Sequence, residues 1–299
     1  MNKYIVTTTI NPPTKALKLF SLMEGWNMIV VGDLKTPHDL FKGIMCKYLH
    51  PDYQEKYYKN LSDIIGWNCI QRRNIGFIEA YNNGADIIAS VDDDNIPYDN
   101  WGKDLLIGKP IDIIKYVVPK TFDPLSIFDA PYWHRGFPLD ELINRRPTSH
   151  YIINNIFNIQ ADLWNGDPDI DAFYRIEHNA PKIMFPVVTP YCGSGISPFN
   201  SQNTFFAREV IPFYSVLPGI GRMDDIWGSY IAQYDYPCNI VYNSASVYQE
   251  RNVHNFMKDF EAEVQGYVYT PKLLSDLKHY RDFLPDQSKE FLDIYRSYF

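Results

Sequence analysis

Cysteine is scarce: there are four in 299 residues, Cys46, Cys69, Cys192 and Cys238, and none forms a C-x-x-C pair. That spacing excludes a cysteine zinc site and a disulfide scaffold. It fits four isolated, mostly buried thiols in a reducing cytoplasm. Long apolar runs are missing. No stretch approaches the roughly 18 residues of a membrane helix, and the opening MNKYIVTTTINPP lacks the sustained apolar region of a signal peptide. Positive charge is in deficit, with 28 Lys and Arg against 36 Asp and Glu and a formal net charge of -8. Such a balance argues against nucleic acid held through its phosphates. Neither an internal repeat nor a low-complexity segment is present.

What is there is globular. A hydrophobic fraction of 45% with 21% charged residues excludes disorder. A chain of this length buries roughly three quarters of its extended surface, enough for one large domain. Residues 4–9 (YIVTTT) read as a strand stopped by Asn11-Pro12-Pro13. Residues 14–24 read as a helix with Thr14 as N-cap and Gly25 at its end. Residues 27–31 (NMIVV) form a second strand closed by Gly32-Asp33. Residues 74–83 are helical up to Gly84, and 85–91 (ADIIASV) form a buried strand. This alternation predicts an α/β fold, Rossmann-like, with a mostly parallel central sheet and helices on both faces. The middle, 119–218, is rich in Pro, Asn, Gly and aromatics and reads as loops and short strands over the sheet's open end. A helix follows at 224–233, and 253–299 is charged and helical. The expected organisation is a single domain of two halves, 1–118 and 119–252, with a C-terminal helical segment over 253–299.

The sharpest local signal is Asp92-Asp93-Asp94 at the end of the apolar strand. Three adjacent carboxylates repel one another, so a fold tolerates them where something cationic offsets them. Oxygen ligands suit Mg2+ or Mn2+, which commonly bridge a carboxylate and a diphosphate. In an open parallel sheet ligands bind beyond the carboxyl ends of the strands, which is where the triplet falls. A solvated acidic turn leading into Asn95-Ile96-Pro97 is the other reading. Upstream, Arg72 and Arg73 precede a helix start and form a candidate anion-binding feature.

The arrangement R-x-N-x-G, A-x-x-x-G-A, D-D-D resembles the nucleotide-sugar half of GT-A glycosyltransferases. Residues 6–14 (VTTTINPPT), 30–37 (VVGDLKTP), 85–94, 221–233 (GRMDDIWGSYIAQ) and 248–259 (YQERNVHNFMKD) resemble the STELLO-type glycosyltransferases. The triplet and GRMDDIW also resemble the related reversibly glycosylated polypeptides, which include UDP-arabinopyranose mutases. The likeness spreads over most of the chain and implies a GT-A fold, a UDP-sugar and Mn2+ or Mg2+. There are departures: the N-terminal membrane segment of STELLO proteins is not found, and the arginine that mutase-type members glycosylate has only Arg145 or Arg146 as nearest candidates.

Thr7, Thr8 and Asp33 lie at the ends of the first two strands. By the resemblance they hold the uracil and ribose, a role their hydroxyls and carboxylate suit; ordinary turn chemistry is the alternative. Arg72, Arg73, Asp92 and Asp93 complete the nucleotide-sugar set. Asp224-Asp225 opens a helix, where one carboxylate caps it comfortably and a pair less well. By the resemblance, the pair meets the acceptor and carries catalysis. The resemblance also makes His254, in R-N-x-H-N, a metal ligand with Asp92 and Asp94. Lys35 reads as a solvated lysine, Gly193-Ser194-Gly195 as a flexible loop, and the mid-chain aromatics, including Trp133, Trp164 and Tyr191, mostly as core. The expected function is therefore a metal-dependent glycosyltransferase that moves a sugar from a UDP-sugar to a hydroxyl acceptor. A UDP-pentose mutase is the first alternative and an inactive nucleotide-sugar-binding protein the second.

Overall fold

The computed structural model describes residues 1–178, 182–250 and 255–299. The first third is built as its pattern dictates. Strand β1 (Lys3–Thr9), helix α1 (Lys15–Phe20) and strand β2 (Asn27–Gly32) follow in order. Thr14 caps α1, its hydroxyl accepting from the Leu17 amide. The helix stops at Phe20, four residues short of the expected end, because Ser21 closes it and bonds the Lys18 carbonyl.

The next stretch holds β3 (Lys47–Leu49) and two seven-residue helices, α2 (Pro51–Tyr57) and α3 (Lys59–Ile65), which the sequence pattern did not announce. Then come α4 (Arg73–Asn82) and β4 (Ile87–Val91). Gly76 lets α4 lie directly on the sheet. A Cβ there would come within 2.5 Å of Val6 Cγ1 and 2.9 Å of Val31 Cγ2. Gly84, at φ +75°, turns the chain out of the helix.

The middle of the chain is more regular than its composition suggested. After β5 (Asn95–Pro97) come three strands of eight residues each, β6 (Pro110–Val117), β7 (Ser149–Ile156) and β8 (Ile159–Gly166). Helix α5 (Ala172–His178), β9 (Tyr191–Gly193), β10 (Asn203–Ala207), α6 (Asp224–Asp235) and β11 (Ile240–Gln249) follow. The chain ends in α7 (Phe256–Ser275) and α8 (Asp286–Arg296), helical as expected. Among the described residues eleven strands join one sheet, in the order β3-β2-β1-β4-β10-β8-β11-β9-β6-β7, with β5 pairing beside β11.

The α/β reading therefore holds, and the mid-chain strands are part of the sheet itself. β8 and β10 are buried at every position, so hydrogen bonding and burial override the Asn- and aromatic-rich composition. The pairings β3-β2, β2-β1 and β1-β4 are parallel, whereas β10 runs antiparallel to both β4 and β8. β11 is again parallel to β8. The core includes Ile5, Val6, Ile29, Val30, Val31, Ile88 and Ala89, all fully buried. Such near-continuous apolar runs mark strands covered on both faces.

This topology brings distant segments to one edge. β1, β2, β4, β8 and β11 all end there and β10 begins there. The strand order reverses at β1, so a crevice opens between the ends of β1 and β4, the usual place for a ligand in an open α/β sheet.

Candidate active site

Two adjoining cavities occupy that edge, one on each side of the acidic triplet. The smaller, of about 230 Å3, lies toward the end of β1 and is lined by Thr8, Thr9, Asn11, Asn68, Arg73 and the three aspartates, among others. The larger, of about 440 Å3, lies toward the start of α6 and is lined by Gln71, Arg135, Asp169, Ser201, Arg222, Asp224 and Asp225, among others. Asp92, Asp94 and Ile70 border both.

On the β1 side the side chains are held tightly. Arg73 is buried, with Nη2 2.5 Å from Asp92 Oδ1 and Nη1 2.8 Å from both the carbonyl and the hydroxyl of Ser201. It therefore fixes the first aspartate of the triplet. Asp93 accepts from Thr9 Oγ1 and from Asn11 Nδ2 at 3.0 Å. Burial raises its carboxyl above the ordinary value, while those hydrogen bonds pull it back. Thr14 donates to the Asp93 carbonyl, and the Glu250 amide donates to the Asp94 carbonyl at 3.1 Å. The turn that carries the triplet is thus tied to α1 and to the end of β11.

Three of the expected nucleotide-sugar residues are engaged elsewhere. Arg72 is fully buried and faces inward. Its guanidinium donates to Gln54 Oε1, to Ser62 Oγ at 2.9 Å and to the Gly66 carbonyl at 3.1 Å, and it stacks on Trp67 at 3.5 Å. Burial pushes it down to about 10. The adjacent arginines point in opposite directions because neighbours on one helical turn diverge. Thr7 is buried within β1. Asp33 is buried, and its carboxylate accepts three backbone amides: Leu34 and Asn68 at 2.7 Å each, and Cys69 at 3.1 Å. It ties down the loop that leads to Ile70. Thr8 does line the crevice. His254 lies outside the described residues.

On the α6 side, Asp224 and Asp225 are the first two residues of the helix, and neither is its N-cap. Asp225 receives Arg135 Nη2 at 3.0 Å on Oδ1 and the Ser201 amide at 2.9 Å on Oδ2. Asp224 Oδ1 accepts the Asp225 amide at 2.9 Å, and Oδ2 accepts Gln71 Nε2 at 2.7 Å. Burial first, and the Asp225 charge second, push the Asp224 carboxyl up to about 8. The two carboxylates are thereby set apart: Asp225 is a strut between Arg135 and Ser201, two residues ahead of β10, and Asp224 is a carboxyl on the cavity wall with an affinity for a proton.

The strut extends further. Arg135 is buried, with Asp169 Oδ2 2.8 Å from Nη2, and its guanidinium also donates to the Arg222 carbonyl. Burial works against its charge, but Asp169 and Asp225 outweigh it and hold the guanidinium above its ordinary value. Arg222 rests on Glu263 at 2.8 Å and Asp259 at 3.4 Å, which joins α7 to the cavity. Sequence reasoning did not single out Gln71, Arg135, Asp169 or Ser201. Arg222 and Gln249 lay inside segments already singled out, and membership in those segments was the signal that could have found them.

Smaller expectations also meet the structure. Arg145 is buried against Asp123 at 2.9 Å, which leaves Arg146 as the accessible one of the pair. Lys35 is exposed, as expected of a solvated lysine. Trp133, Trp164 and Tyr191 are core. The four cysteines are free, but only Cys192 is buried; the other three are intermediate, because each sits near an element end rather than inside it. The 193–195 loop is packed rather than open: a Cβ on Gly195 would lie 1.8 Å from the Lys120 carbonyl oxygen.

For a metal, no group of three or more His, Cys, Asp or Glu side chains converges among the described residues. The donors at the triplet are hard carboxylate oxygens of Asp92 and Asp94. That set fits Mg2+ or Mn2+, which are commonly bound by one or two carboxylates with substrate phosphates completing the shell.

No protein-family model matches the chain. It is 25% identical over 232 residues to the probable glycosyltransferase STELLO2 of Arabidopsis thaliana, an alignment that covers 68% of this chain and 29% of that protein. To the probable glycosyltransferase STELLO1 of the same plant it is 26% identical over 238 residues, with the same shares. The chain thus spans less than a third of the length of these relatives, which are the proteins its motifs resemble. Among solved structures it overlays two of glucosyl-3-phosphoglycerate synthase from Mycobacterium tuberculosis at 10% identity. One, in complex with phosphoglyceric acid, gives a TM-score of 0.42 over 91% of this chain and 79% of that one; the other gives 0.43 over 91% and 80%.

Proposed function

We propose that the chain is a metal-assisted glycosyltransferase of the GT-A type that takes a sugar from a UDP-sugar to a hydroxyl acceptor. The observation that carries the reading is the pair of cavities sharing Asp92 and Asp94 as their common wall. One side suits a donor and the other an acceptor, with the reacting bond at the triplet. The names of the plant relatives point the same way.

Asp94 and Asp92, with His254 by the resemblance, would hold a Mn2+ or Mg2+ ion, which supplies charge neutralisation on the leaving UDP. Arg73 keeps Asp92 in place for that task. Thr8 and Asn11 offer hydrogen bonds to the nucleoside side of the donor. Asp224 stands opposite. In an inverting reaction it takes the proton from the acceptor hydroxyl as that oxygen attacks; in a retaining one it orients the acceptor. Asp225 and Arg135 hold the start of α6, and hence Asp224, against Ser201 in the segment that leads into β10. The larger cavity favours transfer over an acceptor-free mutase, which has no need of it. A cytoplasmic setting belongs to the same proposal and rests on the four free thiols.

The test is a panel of UDP-sugars with Mn2+, reading UDP release and thermal shift. The expected result is stabilisation by UDP and slow UDP release from one donor. No shift with UDP or with any UDP-sugar would overturn the reading. Ring interconversion of a UDP-pentose without an acceptor would turn it into a mutase.

A further inference from the structure

We infer that the acceptor is an uncharged, hydroxyl-rich molecule, a sugar or glycan, and that the cavity beside Asp224 turns away acceptors bearing phosphate, sulfate or carboxylate. The inference rests on the transferase reading and gives its acceptor a chemical class.

Five aspartates and two arginines border the cavity among the described residues. Neither arginine is available to a ligand. Arg135 is buried and shared between Asp169 at 2.8 Å and Asp225 at 3.0 Å. Arg222 has Glu263 on its Nε at 2.8 Å and Asp259 3.4 Å from Nη1, with Asp169 3.7 Å from Nη2. An anionic acceptor would have to break one of these buried pairs or sit in the cavity with no cation of the described wall free to meet it. Bringing like charges together at an interface is strongly unfavourable, and so is breaking a buried pair.

The uncharged polar groups of the wall are Gln71, Ser201, Gln202 and Gln249. Amides and hydroxyls both donate and accept, which is what a sugar's hydroxyls require. Arg73 faces the smaller cavity and is tied to Asp92, so it offers the larger one no counter-charge.

The experiment is an array of matched glycans, neutral, phosphorylated, sulfated and carboxylated. It is incubated with the protein, Mn2+ and a mixture of labelled UDP-glucose, UDP-galactose, UDP-N-acetylglucosamine, UDP-xylose and UDP-arabinopyranose. UDP binding is measured separately by calorimetry, so failure of the donor site is seen on its own. The expected result is label on neutral glycans, with charged counterparts labelled about tenfold less or weaker still. That gap should narrow as ionic strength rises from about 0.02 M to about 0.5 M, since salt screens repulsion. Equal or preferred labelling of anionic glycans overturns the inference. So does the absence of label on every glycan while UDP binds.

Discussion

The crevice beside β1 and the cavity beside α6 share a wall, yet they are assembled in opposite ways. The crevice is made from short contiguous runs, residues 8–11, 68–70 and 92–94, with Arg73 added. The α6 cavity gathers residues singly or in adjacent pairs, from Gln71, Arg135 and Asp169 to Ser201, Arg222, Asp224 and Gln249, spread over some three fifths of the chain. A site made of runs carries a local signature. A site made by a sheet that folds distant strand ends onto one edge shows locally only where a motif such as 221–225 falls in it; Gln71, Arg135, Asp169 and Ser201 carry no mark until the topology is known.

The comparison predicts which substitutions strike chemistry and which strike binding. The largest effect is expected at Asp224. Asp224→Asn keeps the shape of the cavity but cannot take a proton. Turnover should fall by about 100-fold or more with UDP affinity unchanged. Asp225→Asn should instead lower the melting temperature, because Arg135 loses a buried partner. If the two variants behave alike in kinetics and melting, the division of roles between them is wrong.

Next come the two arginines. Arg73→Ala should weaken UDP binding about tenfold or more, the scale of one charged hydrogen bond acting through Asp92. Arg72→Ala should leave the affinity of the folded fraction unchanged and cost about 3 kcal/mol in denaturant unfolding, since Gln54 and Ser62 lose their buried donor. UDP titrations and urea melts of both variants separate the outcomes. An Arg72 variant with normal stability and weakened UDP binding would return that side chain to the nucleotide.

A smaller effect is expected at Gln71, which donates to Asp224 Oδ2. A base acts when deprotonated, so turnover should rise with pH through the raised value of Asp224, about 8 in the free protein. Gln71→Leu removes a hydrogen bond to the charged form and should move that rise to higher pH. Gln71→Glu should move it further, and Gln71→Asn should restore part of it. A pH profile that none of these shifts would detach Gln71 from Asp224.

The smallest effect is on stability. A carboxyl raised in the folded state binds protons that the unfolded chain has already lost. Wild-type stability should therefore decline as pH rises from about 4 toward 8 on account of Asp224. Asp224→Asn does not decline in this way, so its melting temperature relative to wild type should climb by a few degrees between pH 5 and pH 8.5. A pH-independent difference would contradict the raised carboxyl.

Much of this was legible in the residues. β1, β2, α4 and β4 follow from apolar runs and their Gly, Asn and Pro stops, and their order already places the triplet at a strand end. Arg72 and Arg73 show where reading stops: adjacent identical residues give no sign of which faces the crevice, because that is decided by the rotation of one helical turn. The strands β8 and β10 were hidden by Asn and aromatic residues that a buried sheet accommodates through hydrogen bonds, such as Asn203 to Ser246 at 3.0 Å. Arg135 and Asp169 stand 34 residues apart, and no spacing rule joins them.

The most direct measurement is a calorimetric titration of UDP into the wild-type protein and into Asp94→Ala, each with Mn2+ and with EDTA. Wild type is expected to bind UDP with Mn2+, and EDTA or the loss of Asp94 to weaken binding by about 100-fold or more, because the strand-end carboxylates would hold an ion that offsets the diphosphate charge. Equal affinity of the wild-type protein for UDP in Mn2+ and in EDTA would contradict it.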